Sequence, residues 1–514
     1  MSHEEEYFDE EGMEDEYLED ELYEQSDLPW WVKKAPSVLI SLGIHGVILI
    51  IMAYITMMQV ANPTDAELLT QTEHKVQEYD EEKERDLVRT PEILHEQRVE
   101  HPVLILEEET EITTDIPRGT SWDNLSNKNL NSEFCVDAYG IGGGAAGAYG
   151  ARYGRGSVHR EGGSPGTESA VLAALRWLRF HQDRNGGWDI QNFSRHCRQG
   201  ETCDGKALAT HFHVGASALA LLAFLGNGQT HMWGQFRPVV HRAIGYMQAN
   251  QDADGCYGRD PEGRESWFYN HALGLMAMCE VYAMTNDPAL RSTAERALKF
   301  GLDAQNPGAG WRYEPRGGQT DTSVTGWMIL ALKAAETAGF NVPREAYQGS
   351  LAWFDRVTDT NGRTGYITRG DRGSRIRGRN CHFDRDENMT AVAVLCRIFA
   401  GQSRNNRVIQ DGVKLIMADL PNYNAPSHSS VNYYHWYNAT YAMFQVGGND
   451  WRTWNESMKK ALLDSQRRGG CADGSWDSVG TWCVAGGRVY ATAINALTLQ
   501  IYYRFRRVQE TGGG

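Results

Sequence analysis

Gln182-Asp183-Arg184-Asn185-Gly186-Gly187-Trp188 ends a helix-like stretch with a glycine turn and an aromatic residue, and the chain then repeats that phrase. Gln251-Asp-Ala-Asp-Gly255-Cys-Tyr257 is a second copy. Looser copies follow at Gln305…Gly310-Trp311, Asp359…Gly365-Tyr366 and Gln466…Gly474-Trp476, with a period of about 55 residues. A fixed period of this size marks a stacked or closed array of like units. The turn has a structural job. A Gln amide satisfies orphan backbone groups at helix ends, and Gly permits the reversal. The aromatic ring is expected to cover the next unit's helix end. Gln182 and Trp188 therefore read as architecture rather than chemistry.

Outward from the turns, two kinds of helix alternate. One kind is amphipathic, with apolar residues at i, i+3, i+4 and i+7, over 168–182, 238–251, 289–305, 345–357, 406–419 and 455–466. The other is apolar on most sides and rich in small residues, over 212–226, 267–284, 321–338, 387–400, 433–446 and 490–503. A helix apolar all round must be surrounded. The second set therefore forms an inner ring and the first an outer one. The expected fold is all-α: a six-hairpin α/α toroid over 167–507, followed by a short C-terminal tail over 508–514.

The charge is unevenly spread. The whole chain carries −17, yet residues 141–514 hold 33 acidic and 41 basic side chains. Residues 1–32 hold 14 acidic side chains and no Lys or Arg, which argues against nucleic-acid binding there. Within 33–60, the run from Val38 to Val60 is apolar and long enough to cross a bilayer of ~30 Å. Trp30 and Trp31 suit an interface. Lys33 and Lys34 on the N-terminal flank place the first 32 residues in the cytoplasm and everything after residue 60 across the membrane. Residues 61–139 read as a charged linker, and 140–166 as a Gly-rich lead-in without the features of a phosphate-binding loop.

Two resemblances come from quoted residues. Gln-x-x-x-Gly-x-Trp is similar to the repeat of squalene–hopene cyclases. Asp321-Thr-Ser-Val-Thr-Gly-Trp327, Tyr434-His-Trp-Tyr437, Gly474-Ser-Trp-Asp477 and Gly486-Gly-Arg-Val-Tyr490 make 167–507 resemble the prenyltransferase/squalene oxidase repeat proteins, in a bacterial membrane-anchored branch. That resemblance implies the toroid and assigns no activity. Ser41-x-x-x-His45 resembles the single span of TonB- and TolA-type energy transducers, where the two positions face an ExbB/ExbD- or TolQ/TolR-class proton-driven motor. The competing reading is a histidine that meets a partner helix or snorkels. The resulting expectation is a single-pass protein of a bacterial inner membrane, N-terminus cytoplasmic and toroid periplasmic.

The catalytic signatures of the resembled families are missing. No Asp-x-Asp-Asp string, no zinc-holding Asp/Cys/His trio on successive repeats and no thioester Gly-Cys-Gly-Glu-Gln occurs in the repeat region. What remains is a set at the N-terminal ends of the inner helices: His211, His213, His271, Asp321, Glu387, His435 and Tyr490. Converging over an apolar cavity, these would form a ligand pocket, with Asp321 or Glu387 as the acid if the site is catalytic. The alternative makes Asp321 and its like ordinary helix caps. Three histidines would bind a metal only by converging, so no cofactor and no metal site is expected.

Arg363, Arg369, Arg372, Arg375, Arg377 and Arg379 form a dense basic insert, suited to an anionic partner or to a solvated loop. Cys197 with Cys203, and Cys471 with Cys483, lie in polar loops at short separations, which suits disulfides in an oxidising compartment. Zinc competes for these thiols, but no C-x-x-C pair occurs. The leading expectation is a membrane-anchored periplasmic toroid that binds a lipid, glycan or protein. The alternatives are a cyclase- or transferase-like enzyme on an isoprenoid lipid and a carbohydrate-active α/α barrel.

Overall fold

The computed structural model describes residues 162–504, apart from 261, 264–265, 372–386 and 424–430. The apolar segment with Ser41 and His45, the linker, and Arg372, Arg375, Arg377 and Arg379 lie outside the described residues. Among the described residues no helix is long and apolar enough to cross a membrane. These residues are helical and form no strands, only two isolated bridges at Gln251–Tyr257 and Thr358–Thr364.

Outer helices are α1 (Pro165–Phe180), α3 (Arg237–Ala249), α5 (Pro288–Asp303), α7 (Arg344–Val357), α9 (Arg407–Met417) and α11 (Gly448–Ser465). Inner helices are α2 (His213–Gly226), α4 (Phe268–Thr285), α6 (Thr322–Thr337), α8 (Asn388–Phe399), α10 (Tyr433–Val446) and α12 (Cys483–Leu499), with a short α13 (Ile501–Arg504) at the end. Each inner helix packs on the next, and α12 packs back on α2, so the ring is closed. The α/α toroid follows from this circuit. Burial explains the sorting. Every residue of α2 after His213 is buried, whereas α9 buries only Ile409, Gly412, Val413 and Ile416 on one stripe.

The repeated turn forms a bracket between outer helices. Gln182 Nε2 donates to Gly186 O in its own turn (2.8 Å) and to Val239 O of α3 (3.0 Å). Gln251 does the same to Gly255 O and Thr293 O of α5, and Gln305 to Ala309 O and Ala346 O of α7. Gln466 completes the circuit, donating to Gly474 O and to Ala170 O of α1, each at 2.8 Å. The aromatic residue adds a second tie. Trp188, Trp311 and Trp476 donate their indole N–H back to Leu178 O, Gly301 O and Leu462 O of their own units' outer helices, while Tyr257 Oη meets Thr293 Oγ1 of α5 in the next unit (3.2 Å).

The two ends of the annulus differ. At one end the starts of α4, α6 and α10 are tied by Tyr269 Oη to Ser323 Oγ and Ser323 Oγ to Tyr434 Oη, both 2.8 Å. Trp327 of α6 stacks on Tyr434 and Tyr437 of α10, although α8 separates these helices around the ring, so aromatic rings fill the middle. At the other end, Gln500 donates to Ala223 O and α13 lays Arg504 against Glu280 of α4 (2.8 Å). Two boundaries depart from the periodicity. α11 starts at Gly448, because Trp451 packs against Phe444 and Tyr502. α12 gains a first turn from Cys483, broken from the rest at Gly487 (φ 63°).

Candidate functional site

The loops after the first two turns enclose a cleft of about 360 Å³ at the rim that carries the inner-helix N-termini. Its walls include Asp189, His211, His213, Tyr246, Arg259, Asp260 and Asn270. Asn270 stitches the two units together. Its Nδ2 donates to His211 O and Gly258 O, and its Oδ1 accepts from Gly215 N. Burial would raise the Asp189 carboxyl, but donors from the Asn192 side chain and the Gln191 and Asn192 backbone hold it below the usual range. Its Oδ1 lies 3.7 Å from His213 Nδ1. Arg259 is held by Asp252 and Asp254 and lies over the Trp267 and Phe300 rings. Tyr246 presents a half-buried ring whose hydroxyl burial pushes up to about 12, so it is neutral at any physiological pH. The cleft therefore offers one aromatic face, carboxylates, imidazoles and an anchored guanidinium.

The sequence-derived set divides. His211 and His213 line this cleft; the others lie elsewhere. His271 is buried among Tyr257, Phe268 and Phe300. Its Nδ1 accepts the Tyr257 N–H at 3.3 Å. His435 packs edge-on to Trp454. The three histidines thus have separate surroundings. Asp321 caps α6, accepting from Val324 N at 2.8 Å, and is wholly buried beside Tyr366 Oη (3.3 Å) and Arg312 Nε (3.8 Å). Burial raises its carboxyl to about 7. Glu387 accepts from Arg363 and Thr390, so Arg363 is engaged with an internal carboxylate and does not belong to a free anion-binding set. Arg369 is exposed. Tyr490 is half-buried on α12, its hydroxyl raised well above 10 by burial. Sequence reading missed Asp189, Tyr246, Arg259 and Asp260: Asp189 opens the long loop between Trp188 and α2, Tyr246 lies on α3, and Arg259 and Asp260 lie in the loop between Tyr257 and α4.

The cysteine pairing also needs correction. None of the four is in a disulfide. Cys471 gathers with Cys197 and Cys203 around His181 rather than with Cys483. These four side chains, brought together from opposite ends of the repeat region, are grouped closely enough to hold a metal ion, an arrangement that the sequence reading did not anticipate.

Two buried histidines set an acid limit. Burial lowers His271 to about 3 and His435 to about 4. Both stay neutral in the folded chain but take up a proton near 6.5 when unfolded. Their contribution to stability is complete above the unfolded value and is lost as pH falls toward the folded values. Asp321 acts in the opposite sense: its contribution is complete below about 4 and is lost as pH rises through 7. His271→Asn, which keeps an acceptor for the Tyr257 N–H, is expected to reduce proton uptake on unfolding at pH 5 by about one. Urea unfolding across pH measures this as a slope change of about 1.4 kcal/mol per pH unit.

The annulus and its rim cleft define a class, α/α-toroid proteins, and the comparisons narrow it. Residues 157–364 match the family model described as squalene-hopene cyclase C-terminal domain. A squalene-hopene cyclase of Schizosaccharomyces japonicus is 31% identical over 127 residues, which is 24% of this chain and 17% of that protein. Among solved structures, the type II terpene cyclase MstE from Scytonema aligns at 12% identity with a TM-score of 0.41, covering 66% of this chain and 97% of its own. The GH76A alpha-1,6-mannanase from Salegentibacter aligns at 8% identity and a TM-score of 0.41, covering 66% and 98%. Residues 157–364 are thus squalene–hopene cyclase-like in sequence, while the stretch matched to the curated relative spans about a sixth of that protein.

Proposed function

We propose that this chain is a membrane-anchored binding protein whose toroid takes a hydroxyl-rich, glycan-type ligand in the rim cleft. One observation carries the reading: the open polar space is at the rim, beside Tyr246, Asp189 and the two histidines, while the middle of the ring is filled by the Trp327–Tyr434–Tyr437 stack. An aromatic face with convergent carboxylates suits sugar hydroxyls better than an isoprenoid chain. Calorimetric titration of the full chain in detergent micelles against gluco- and manno-oligosaccharides and a polyprenyl phosphate is the test. Asp189→Ala is expected to weaken oligosaccharide binding at least about tenfold, the loss of a charge-assisted hydrogen bond. Binding of the polyprenyl phosphate alone, or oligosaccharide affinity unmoved by Asp189→Ala, would reject the reading.

The anchor belongs to the same proposal. Val38–Val60 holds the toroid on the far side of a bacterial inner membrane, and Ser41 and His45 face an ExbB/ExbD- or TolQ/TolR-type motor. Co-purification of motor subunits that persists in His45→Ala would remove the motor from the picture. An isoprenoid cyclase-like reading has one supporting feature, the Asp321 carboxyl held near 7 among tyrosines. Its full burial and capping bond argue for a structural role.

A further inference from the structure

We infer that His181, Cys197, Cys203 and Cys471 form a zinc site that clasps the first repeat to the last. His181 ends α1, Cys197 follows the short 3-10 helix Phe193–His196, Cys203 lies in the loop before α2, and Cys471 belongs to the final repeat turn. The four ligand atoms lie within 4.8 Å of one another. His181 Nε2 is 3.7 Å from Cys197 Sγ, 3.8 Å from Cys203 Sγ and 3.6 Å from Cys471 Sγ. A tetrahedral zinc with bonds of about 2.05 Å to nitrogen and 2.3 Å to sulfur requires an N···S separation of about 3.6 Å. The three separations match that value and each other, as ligands around a common centre must.

The surroundings fit as well. His181 Nδ1 donates to Trp177 O at 2.8 Å, which fixes the tautomer and turns the Nε2 lone pair toward the thiols. Trp177 stacks on the imidazole at 4.1 Å and Phe193 meets it edge-on, so the ring has one orientation. The Cys203 backbone N–H donates to Cys197 Sγ at 3.2 Å, a bond that stabilises a thiolate. Cys203 and His181 are buried, Cys197 and Cys471 half-buried, so an ion can enter from the surface. Three sulfurs and one imidazole select zinc over hard cations, and four protein ligands leave no open position, the mark of a structural rather than catalytic ion. Binding releases the three thiol protons to solvent and leaves the site one negative charge. The location gives the ion its purpose. It ties residues 290 positions apart at the seam where α1 meets α11, the place at which the annulus closes on itself.

The test is metal analysis of the untagged full chain, purified in detergent from zinc-supplemented cells. About one zinc per chain is expected, falling below about a tenth in Cys471→Ser and staying near one in Cys483→Ser, whose thiol lies outside the cluster. Co²⁺ in place of zinc should give a tetrahedral thiolate spectrum that Cys471→Ser loses. If Cys471→Ser does not fold, metal content and the Co²⁺ spectrum of the unaltered chain decide alone. A metal-free chain with Cys197 and Cys203 joined as a disulfide, iron or copper in place of zinc, or zinc retained in Cys471→Ser would each overturn the assignment.

Discussion

Glu280→Gln is expected to cost about 3–5 kcal/mol of folding stability, the usual penalty for removing one member of a buried ion pair. Glu280 sits near the C-terminal end of α4 and Arg504 at the end of α13, and both are fully buried. The substitution keeps the shape of the side chain and removes its charge, leaving a guanidinium in the core without its counter-ion. Arg504→Met is expected to be similarly harmful for the mirrored reason. The double variant Glu280→Met/Arg504→Met should recover most of the loss, because two apolar side chains avoid the desolvation of both charges. Urea unfolding of the unaltered chain, Glu280→Met, Arg504→Met and the double variant gives the coupling directly. Additive losses in the double variant would show that the pair acts through packing rather than charge.

Gly255→Ala is expected to remove about 2–4 kcal/mol, combining an unfavourable dihedral with a steric conflict. Gly255 has φ 96°, and a Cβ there would lie 2.4 Å from Arg296 O of α5. Gly186 and Gly474 meet Arg242 O and Ala173 O in the same way, so the close approach belongs to the bracket itself. Gly308 is the control: its φ is 61°, yet nothing lies within 4 Å of a Cβ, so Gly308→Ala reports dihedral strain alone, about 1–2 kcal/mol. Equal losses at the two positions, read by thermal or urea unfolding, would show that the contact with α5 adds nothing.

The ring was readable in the chain because its cause is periodic. Gln182, Gln251, Gln305 and Gln466 each make the same bracket, from a carbonyl of their own turn to a carbonyl in the N-terminal half of the next outer helix, and a repeated solution leaves a repeated signature. Inner and outer helices separated for a similar reason, since all-round burial and one-sided burial demand different compositions. The start of α11 was lost because Gly448-Asn-Asp-Trp reads as a turn until Trp451 finds Phe444. The rim cleft was only half legible. Asp189, Arg259 and Asp260 sit in aperiodic loops, and which loops face each other depends on the closed ring. The cysteines failed most instructively. Short spacing suggested Cys471 with Cys483, but a closed circuit makes residue 471 a neighbour of residue 181, a proximity that no local spacing rule encodes.

A torus invites the thought of passage, and here the thought fails among the described residues. Aromatic rings reach across the middle from α6 to α10, and at the other end Arg504 is buried against Glu280. The cleft described here opens at the rim that carries the inner-helix N-termini. On the proposed reading, a ligand held in the rim cleft would enter and leave by the same lip, which suits carriage and hand-over rather than threading.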